Sequence, residues 1–422
     1  MDGVRYDCQR EAKEQFPTMR ATEHGAGTGV TAASGSVAAA CEHLIETDAR
    51  TLDDMRTLVR VPAPPFGEAL RGEWLAERFD ETGLVDVVTD AAGNVLARYP
   101  ANGGAGTPVL IVAHLDTVFP ADTPLHLVES NGRISAPGIS DNARGLAGLL
   151  ALARSLVAAR VVTRNPIVFC GSVGEEGVGD LRGVKHLFRE GSPWRNCAGF
   201  IALDGTGSRR IAHRAVGSRR LRVEVSGPGG HSWADRGAPN PIHALSAGVA
   251  RLDVMRLPEA AVTSLGVGRM GGGTSVNAVP ASAWLEIDLR SENRNALETL
   301  ERRTLSLLER AVADANATAS AQRRLRFEVA IIGDRPTGET AVTSPLVTGA
   351  VTATRSIGAS PELVSSSTDA NVPIALGIPA IAIGAGGESG KAHTTDEWYA
   401  NEGGPDGLRR ALLTLLAAAG VD

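Results

Sequence analysis

The sequence predicts an α/β protein in which helices flank a mixed, mostly parallel sheet and a smaller α+β domain of ferredoxin-like type is inserted. Apolar strand-like runs alternate with helical patterns in the first and last parts of the chain, as in parallel sheets covered by helices. Between them, alternation of apolar and polar residues indicates half-exposed antiparallel strands. We therefore expect an N-terminal arm at 1–36, a larger domain made of 37–212 and 333–422, and an inserted domain at 213–332.

The elements of the larger domain follow one another along the chain. A helical pattern covers about 37–59, with an interruption near Asp48, and a second helix surrounds Trp74. Two short strands and the apolar run VLIVAH come next, followed by a helical stretch at 141–159. Further strands are predicted at PIVFCGSV, at AGFIALDG and, near the C-terminus, at PAIAIGAG.

The inserted domain has the pattern of two helices on one face of a small antiparallel sheet. Apolar and charged residues alternate over 219–225 and over 283–290. Helical stretches lie between and after these strands, near 241–252 and 295–313. The segment IGDRPTG then leads back into the larger domain.

The composition excludes several classes of protein. Of the 422 residues, 43 % are hydrophobic, which provides ample material for a core, and the formal net charge is −6. A nucleic-acid-binding protein would show a basic excess or stripe, so no nucleic-acid partner is expected. No window reaches the roughly 18 apolar residues of a membrane helix, and the charged start MDGVRYDCQREAKEQF lacks the apolar region of a signal peptide. We expect a cytoplasmic protein without a membrane partner.

The cysteines are expected to be reduced and structural. Their spacing matches no metal finger. One of them lies in the apolar run PIVFCGSV, where a thiol behaves as a small hydrophobe. The four residues are Cys8, Cys41, Cys170 and Cys197.

Acidic residues and histidines stand where the apolar strands end. Because ligands bind at the carboxyl ends of parallel strands, these groups are expected to converge at one edge of the sheet. Taken singly, each has an ordinary explanation as a solvated histidine, a turn aspartate or a helix N-cap. Together, two imidazoles and several carboxylates suit zinc, and the number of carboxylates favours two ions that share one of them. The residues are His114, Asp116, Asp141, Glu175, Glu176, Asp204 and His393.

This set contains one Glu and one Asp more than the metals need. A metal-bound water requires a nearby carboxylate to take its proton. A metal-bound histidine requires an acceptor for its other ring nitrogen. The two additional carboxylates match these two requirements.

Six motifs, in this order along the chain, resemble those of the co-catalytic zinc peptidases and deacylases, which include aminoacylase, acetylornithine deacetylase, carboxypeptidase G and peptidase T. The motifs are HLDTVFP, SDNARG, GEEGVGD, ALDG, GPGGHS and AHTTDEW. The segment STDANVPIALGIPAIAIGAGG is most similar to the peptidase T-like branch. The resemblance covers about residues 45–420 and implies the fold of a zinc exopeptidase with an inserted lid that also dimerises.

The resemblance implies a role for each strand-end residue. His114 resembles the terminal ligand of one zinc ion, with Asp116 orienting its imidazole. Asp141 resembles the bridging carboxylate, which a cis peptide bond usually follows, and Glu175 resembles the general base. The other expected ligands are Glu176 and His393 on one ion and Asp204 on the other.

The resemblance also implies substrate contacts from the lid. His231 in GPGGHS resembles a histidine that polarises the scissile carbonyl, often from the partner subunit of a homodimer. Asn277 and Arg290 resemble residues that grip the substrate carboxylate. Arg290 lies on the strand face opposite Leu285 and its alternating neighbours, so it is expected to point away from the lid's own core. Near Gly386, the Gly-rich turn is expected to bring backbone close to the substrate.

The resulting hypothesis is a di-zinc hydrolase that cleaves an amide C–N bond of a short peptide. Two Zn²⁺ ions, with Co²⁺ or Mn²⁺ as substitutes, would activate a water, and Glu175 would be the general base. A deacylase acting on an N-acyl amino acid or another small metabolite would use the same site. A non-catalytic binding protein with this fold is a third alternative, and the complete ligand set argues against it.

Overall fold

A computed structural model describes residues 35–102, 106–259, 261–317 and 319–421. The arm expected at 1–36 lies outside the described residues, apart from its last two positions, which begin the first helix. Cys8 also lies outside them. The other three cysteines are buried and free.

The described chain alternates between helices and strands. The helices are α1 (Gly35–Glu46), α2 (Asp48–Leu58), α3 (Ala69–Thr82), α4 (Arg144–Ala158), α5 (Arg182–Leu187), α6 (Pro241–Asp253), α7 (Arg294–Ala315), α8 (Pro345–Ser356), α9 (Asn371–Ala375) and α10 (Gly404–Ala419). The strands are β1 (Val85–Thr89), β2 (Val95–Tyr99), β3 (Val109–His114), β4 (Val128–Ser130), β5 (Arg133–Ser135), β6 (Ile167–Ser172), β7 (Gly199–Leu203), β8 (Arg210–Ala215), β9 (Gly217–Ser226), β10 (Gly230–His231), β11 (Thr263–Gly272), β12 (Ala278–Val279), β13 (Ser282–Ser291), β14 (Arg326–Arg335), β15 (Gly338–Glu339), β16 (Glu362–Ser366), β17 (Ala380–Ile383), β18 (Glu388–Gly390) and β19 (Trp398–Ala400).

Within the described residues, nine strands form one large sheet. Its order is β1-β2-β6-β3-β7-β17-β8-β15, and β16 pairs with β8 beside this path. The four central strands β6, β3, β7 and β17 are parallel to one another, and an antiparallel strand flanks them on each side, β2 next to β6 and β8 next to β17. This arrangement confirms the predicted mixed α/β fold.

Strand β3 shows why the centre of the sheet is so apolar. All of its residues are buried, because helices cover both faces of the sheet. Val109 and Ile111 belong to the hydrophobic cluster shared with α1–α4, α8 and α10. Leu110 and Val112 point the other way, into the cluster that contains residues of α5 and α9. The sequence of β3 is therefore continuously apolar, and its only polar residue is the last one, His114.

A four-stranded antiparallel sheet and two helices form the inserted domain, as the fold class predicted. The strand order β11-β13-β9-β14 and the chain order βαββαβ are those of a ferredoxin-like unit. On β13, Leu285, Ile287 and Leu289 are buried against the helices, while the residues between them face away. Asn240 and Asn293 cap α6 and α7 by accepting backbone N–H groups of the first helical turn.

The chain passes between the two sheets at the ends of long strands. Strand β8 lies in the large sheet, and after Val216 the chain enters β9 of the small one. It returns at the end of β14, where Arg335 precedes β15 of the large sheet. The four-stranded sheet thus spans Gly217 to Arg335, a few residues later than the 213–332 expected from the sequence.

A small sheet of short strands was not anticipated. Its order is β18-β19-β5-β4, and it joins a segment before α4 to the two strands on either side of His393. No helix in the described ranges is long and apolar enough to cross a bilayer.

Candidate metal centre and cleft

The fold brings the predicted ligands to one edge of the large sheet. His114 is the last residue of β3, Glu176 follows β6, and Asp204 follows β7. Because these three strands are parallel, their carboxyl ends lie side by side. Asp141 comes from the turn before α4, and His393 from the loop between β18 and β19. His393 has a positive φ of 65°, a conformation that non-glycine residues seldom adopt away from turns and functional sites.

Asp141 lies at the centre of the group. Its Oδ1 is 2.9 Å from His114 Nε2, and its Oδ2 is 2.9 Å from His393 Nε2. His393 Nε2 is also 3.0 Å from Glu176 Oε1, and His114 Nε2 is 3.9 Å from Asp204 Oδ1. The two oxygens of one carboxylate therefore face two separate groups, each with one imidazole and one further carboxylate.

The peptide bond after Asp141 is cis, as the resemblance implied. Ligand atoms of His114, Asp141 and Glu176 all lie within 4.8 Å of one another. This donor set of imidazole nitrogen and carboxylate oxygen fits Zn²⁺ and similar divalent cations.

Asp116 supports this centre in a way that differs in detail from the expectation. His114 Nδ1 lies 3.0 Å from the backbone oxygen of Asp116 and 3.7 Å from its carboxylate. The carboxylate accepts the backbone N–H groups of Glu175 and Glu176, at 3.0 and 2.8 Å. Asp116 thereby links the imidazole at the end of β3 to the loop that follows β6.

The electrostatics are those of a crowded, buried acid–base cluster. Burial opposes protonation of His114, but Asp116 and Asp141 outweigh it and hold the pKa of the imidazole well above its ordinary value. Hydrogen bonds to Asp141 and Glu176 raise the pKa of His393 to about 10. Burial, together with the neighbouring Asp141 carboxylate, raises the pKa of Asp204 to about 7. The surroundings of both imidazoles thus favour positive charge, as a cation site requires.

Glu175 lies beside the centre and is held by an arginine that sequence reasoning missed. Arg335 Nη1 is 2.9 Å from Glu175 Oε1, and Nη2 donates to the backbone oxygen of Glu175. Burial raises the pKa of Glu175 well above its ordinary value, and the charge of Arg335 opposes this rise. Arg335 lies in the segment IGDRPTG, which was predicted only to lead back into the larger domain.

Glu397 is a second residue that the sequence did not single out. Its Oε1 accepts the backbone N–H of Ser140 (2.7 Å), the Ser140 hydroxyl (2.6 Å) and the backbone N–H of Asp141 (3.0 Å). Its Oε2 accepts the N–H of Gly138 at 3.1 Å. This fully buried carboxylate fixes the turn that carries Asp141. The only sequence signal was its place in the motif AHTTDEW.

A cavity of about 400 Å³ opens above the candidate metal centre. The lid contributes Arg220 and Arg290 to its lining, and the large sheet contributes Arg210. The predicted position of Arg290, away from the lid's own core, agrees with this lining. The cleft is therefore lined both by the acidic groups of the candidate metal centre and by guanidinium groups.

His231 and Asn277 lie together on the lid but outside the lining of this cavity. His231 in β10 pairs with Ala278 in β12, next to Asn277. Both residues are exposed. His231 Nδ1 accepts the backbone N–H of Trp233 at 3.2 Å.

Gly386 also lies away from the cavity, although Gly384 lines it. Gly386 is buried and has a φ of +81°, and its open side faces the backbone of Gly403, Gly404 and Gly407 at the start of α10. Close packing of the loop on this helix accounts for the glycine. In this segment the cavity is lined by Gly384 and not by Gly386, the residue expected near the substrate.

Comparison with known proteins identifies the family. The model of the peptidase family M20/M25/M40 matches residues 110–418, which is most of the chain. The chain belongs to this family. The predicted relationship to the co-catalytic peptidases and deacylases is therefore confirmed.

Individual members of the M20 family and related structures resemble the chain over different lengths. A succinyl-diaminopimelate desuccinylase of Burkholderia mallei (strain SAVP1) is 27 % identical over 226 residues, which are 49 % of this chain and 59 % of that protein. The structure of aminopeptidase PepT from Bacillus cereus has a TM-score of 0.69 at 24 % identity and covers 88 % of this chain and 98 % of its own. The structure of the YXEP protein of Bacillus subtilis, described as a dinuclear metal binding peptidase, has a TM-score of 0.63 at 15 % identity. The match covers 89 % of this chain and 99 % of the YXEP chain. The two structures share the fold of this chain.

Proposed function

We propose that this protein is a metal-dependent hydrolase that cleaves the amide C–N bond of a short peptide. The observation that carries the proposal is the position of Asp141, whose two carboxylate oxygens each face a separate group of one imidazole and one carboxylate. Such a carboxylate suits the bridge of a two-metal site. Membership of the M20 family and the fold shared with PepT support the proposed reaction.

The proposed ligands divide into two sets around the bridge. His114 and Asp204 would hold one cation, and Glu176 and His393 the other. We propose Zn²⁺, with Co²⁺ or Mn²⁺ as substitutes, because the donors are nitrogen and carboxylate oxygen. The description of YXEP as a dinuclear metal binding peptidase supports two ions. When bound, the cations supply Lewis acidity toward a carbonyl oxygen and lower the pKa of a water.

Glu175 is the proposed general base. Glu175 is buried beside the proposed ligands, and Arg335 fixes its carboxylate. Because its conformation is already fixed, the carboxylate can take the proton of an attacking water without first being reoriented. The water oxygen forms the new C–O bond, the C–N bond breaks, and Glu175 returns the proton to the leaving nitrogen. A raised pKa suits a group that must both accept and release a proton near neutral pH.

The lid is proposed to complete the site on the substrate side. Arg290 in the cavity wall would bind a substrate carboxylate as a bidentate partner. His231 and Asn277, which lie together outside this cavity, would serve the cleft of a partner subunit, His231 by polarising the scissile carbonyl. This assignment requires a homodimer, which we propose to form through the inserted domain. We also propose that the protein acts in the cytoplasm.

A deacylase is the second candidate. The desuccinylase that matches this chain removes an acyl group according to its name, and the chain covers a little over half of that relative's length. A deacylase would need the same ligands and the same base, because both reactions hydrolyse an amide. The two candidates differ in what occupies the cleft beyond the scissile bond.

A hydrolysis panel tests both candidates. Zinc-loaded protein is incubated with di- and tripeptides and with N-acyl amino acids, products are followed by mass spectrometry, and Glu175→Gln serves as the blank. Release of amino-terminal residues supports the peptidase, whereas cleavage confined to acylated amino acids supports the deacylase. Near-wild-type turnover by Glu175→Gln with intact metal content would overturn the assignment of Glu175.

A further inference from the structure

We propose that the cleft is built for a substrate with a second carboxylate, which Arg210 binds at the end of the cavity. This inference rests on the proposed amide hydrolysis and adds a substrate class to it. One carboxylate of the substrate is assigned to Arg290. The second would be carried on a short aliphatic segment, as in a dicarboxylic acyl group or an acidic side chain.

The first argument is a surplus of positive charge in the cleft. Its lining contains Asp141, Glu175, Glu176, Asp204 and the four arginines Arg210, Arg220, Arg290 and Arg335. Three of the acids are proposed metal ligands and the fourth is paired with Arg335. The acidic groups are therefore committed to the metal end of the cavity, and three guanidinium groups remain.

Two of these three guanidinium groups, those of Arg220 and Arg290, share one carboxylate. Asp288 lies 2.7 Å from Arg290 Nε and 3.7 Å from Arg220 Nε, on the face of β13 that is turned away from the lid's helices. Burial, and after it the charge of Arg335, lowers the pKa of Arg220, which is the effect expected where positive charges crowd together. Arg210 has no ion-pair partner among the residues that the structure describes. At least two positive charges thus face the cavity without an anion from the protein.

The second argument is the position of Arg210 relative to the metal centre. It begins β8, which runs antiparallel to β17, so Arg210 lies at the same sheet edge as the candidate ligands. Arg210 and Ala212 are two positions apart on one strand and so project from the same face, roughly 7 Å from each other along it. Its chain neighbour Arg209 is engaged elsewhere, in an ion pair with Glu362 at 2.7 Å.

The third argument is the floor that leads to Arg210. Ala212 is aligned with Val364 on β16 and with Ala382 on β17, and all three line the cavity. Small apolar side chains leave room for methylene groups of a substrate, but they provide no hydrogen-bond partner for a polar substituent. A charge on the substrate would therefore be placed beyond this floor, where the guanidinium of Arg210 can bind a carboxylate with charge-assisted hydrogen bonds.

Matched substrates isolate the second carboxylate. N-succinyl-L-alanine and N-butyryl-L-alanine have acyl chains of equal length, and the dipeptides Glu-Ala and Gln-Ala differ in the same charge. In zinc-loaded wild-type protein we expect kcat/KM to be at least about tenfold higher for the charged member of at least one pair, since a hydrogen bond to a charged group contributes about 1.5–3 kcal/mol.

Substitution of Arg210 provides the decisive test. Arg210→Gln should reduce that preference to less than about threefold through KM, with kcat/KM for the uncharged member unchanged. Arg210→Lys should retain part of the preference, and Arg209→Gln, the matched control, should retain all of it. An equal loss on both members of a pair, or a wild-type enzyme without preference, would overturn the proposal.

Equilibrium binding separates this proposal from the proposed reaction. Calorimetry of wild-type protein with succinate and with butyrate should show tighter binding of succinate, and Arg210→Gln should abolish the difference. If the protein hydrolyses amides but binds both acids equally, the reaction stands and the second-carboxylate site is wrong. If it hydrolyses nothing yet binds succinate through Arg210, the site stands and the reaction is wrong.

Discussion

The guanidinium of Arg335 holds the carboxylate of Glu175, with 2.9 Å between Nη1 and Oε1 and both side chains buried. Arg335 is the last residue of β14, where the chain leaves the inserted domain, and Glu175 follows β6 of the large sheet. The residue proposed as general base is therefore positioned by the end of a lid strand. A movement of the lid relative to the sheet would act directly on this pair.

Replacing Arg335 by Met should reduce both turnover and stability. The substitution leaves the buried carboxylate of Glu175 unpaired, and loss of one partner of a buried ion pair costs about 3–5 kcal/mol. We expect kcat to fall by at least about tenfold because the base is no longer held. The free energy of unfolding, measured by denaturant titration, should fall by several kcal/mol.

A double-mutant cycle gives the control for this pair. Arg335→Met combined with Glu175→Gln removes both charges, so the double variant should lose less stability than the sum of the two single variants. Simple additivity of the two losses would show that the two side chains do not interact in the folded protein.

Replacing Glu397 by Gln should weaken metal binding. The carboxylate accepts four hydrogen bonds from the turn that carries Asp141, and an amide would place N–H groups against these donors. Loss of such support to a ligand typically lowers metal affinity by about 10–100-fold. Zinc affinity is measured by competition with a chelator. The exposed Glu402 provides the control, and a Glu402→Gln protein should bind zinc like the wild type. Unchanged affinity in Glu397→Gln would contradict a supporting role for this carboxylate.

Metal binding at neutral pH should release protons. In the metal-free protein the pKa of His393 is raised to about 10 and that of His114 is raised well above its ordinary value, so both imidazoles are protonated at pH 7. A cation needs the neutral ring, and it must displace these protons. Apparent zinc affinity should therefore rise as the pH increases from about 6 to 9.

Calorimetry in buffers of different ionisation enthalpy measures the protons released. We expect more than the two imidazole protons per protein, because Asp204, with a pKa raised to about 7, is also partly protonated at neutral pH. Heats independent of the buffer would contradict the predicted protonation. The stability of the metal-free protein should change with pH in the opposite direction to zinc affinity, falling as the pH rises. A raised histidine pKa contributes stability that is complete below about 6.5 and is lost as the pH rises toward 10.

The sequence predicted the ligands better than their supports, for a physical reason. His114 and Asp204 lie at the ends of apolar runs. In a parallel sheet, the residues at the carboxyl ends of neighbouring strands lie close together at one edge, so their convergence can be predicted. Arg335 contacts Glu175 across 160 residues of chain, and Glu397 contacts the backbone of Asp141 across 256 residues. No local sequence pattern predicts contacts between residues so far apart. The sheet that brings Glu397 to Asp141 consists of three-residue strands, which are too short to show alternation.

Asp116 shows a similar limit of sequence reasoning. Its type and spacing indicated an acceptor for His114, and the residue does provide one. The closer acceptor, however, is its backbone oxygen, while its carboxylate is occupied by N–H groups from the loop after β6. Which oxygen faces the imidazole depends on how that loop folds back, and the sequence of β3 contains no information about it.

The packing of Gly386 on Gly407 leads to a prediction about stability. Gly407 lies in the first turns of α10, and a methyl group there would overlap the Cα and N atoms of Gly386. Alanine is the better helix former by about 1 kcal/mol, but overpacking of a buried backbone contact costs about 1–3 kcal/mol. We expect the cost of overpacking to exceed the gain in helix propensity, so that Gly407→Ala lowers the free energy of unfolding in a denaturant titration. Gly35→Ala at the start of α1 is the control, because no atom lies within 4 Å of the added methyl group, and it should be neutral or slightly stabilising. If Gly407→Ala were as stable as Gly35→Ala, the close approach of this loop to α10 would not be a feature of the folded protein.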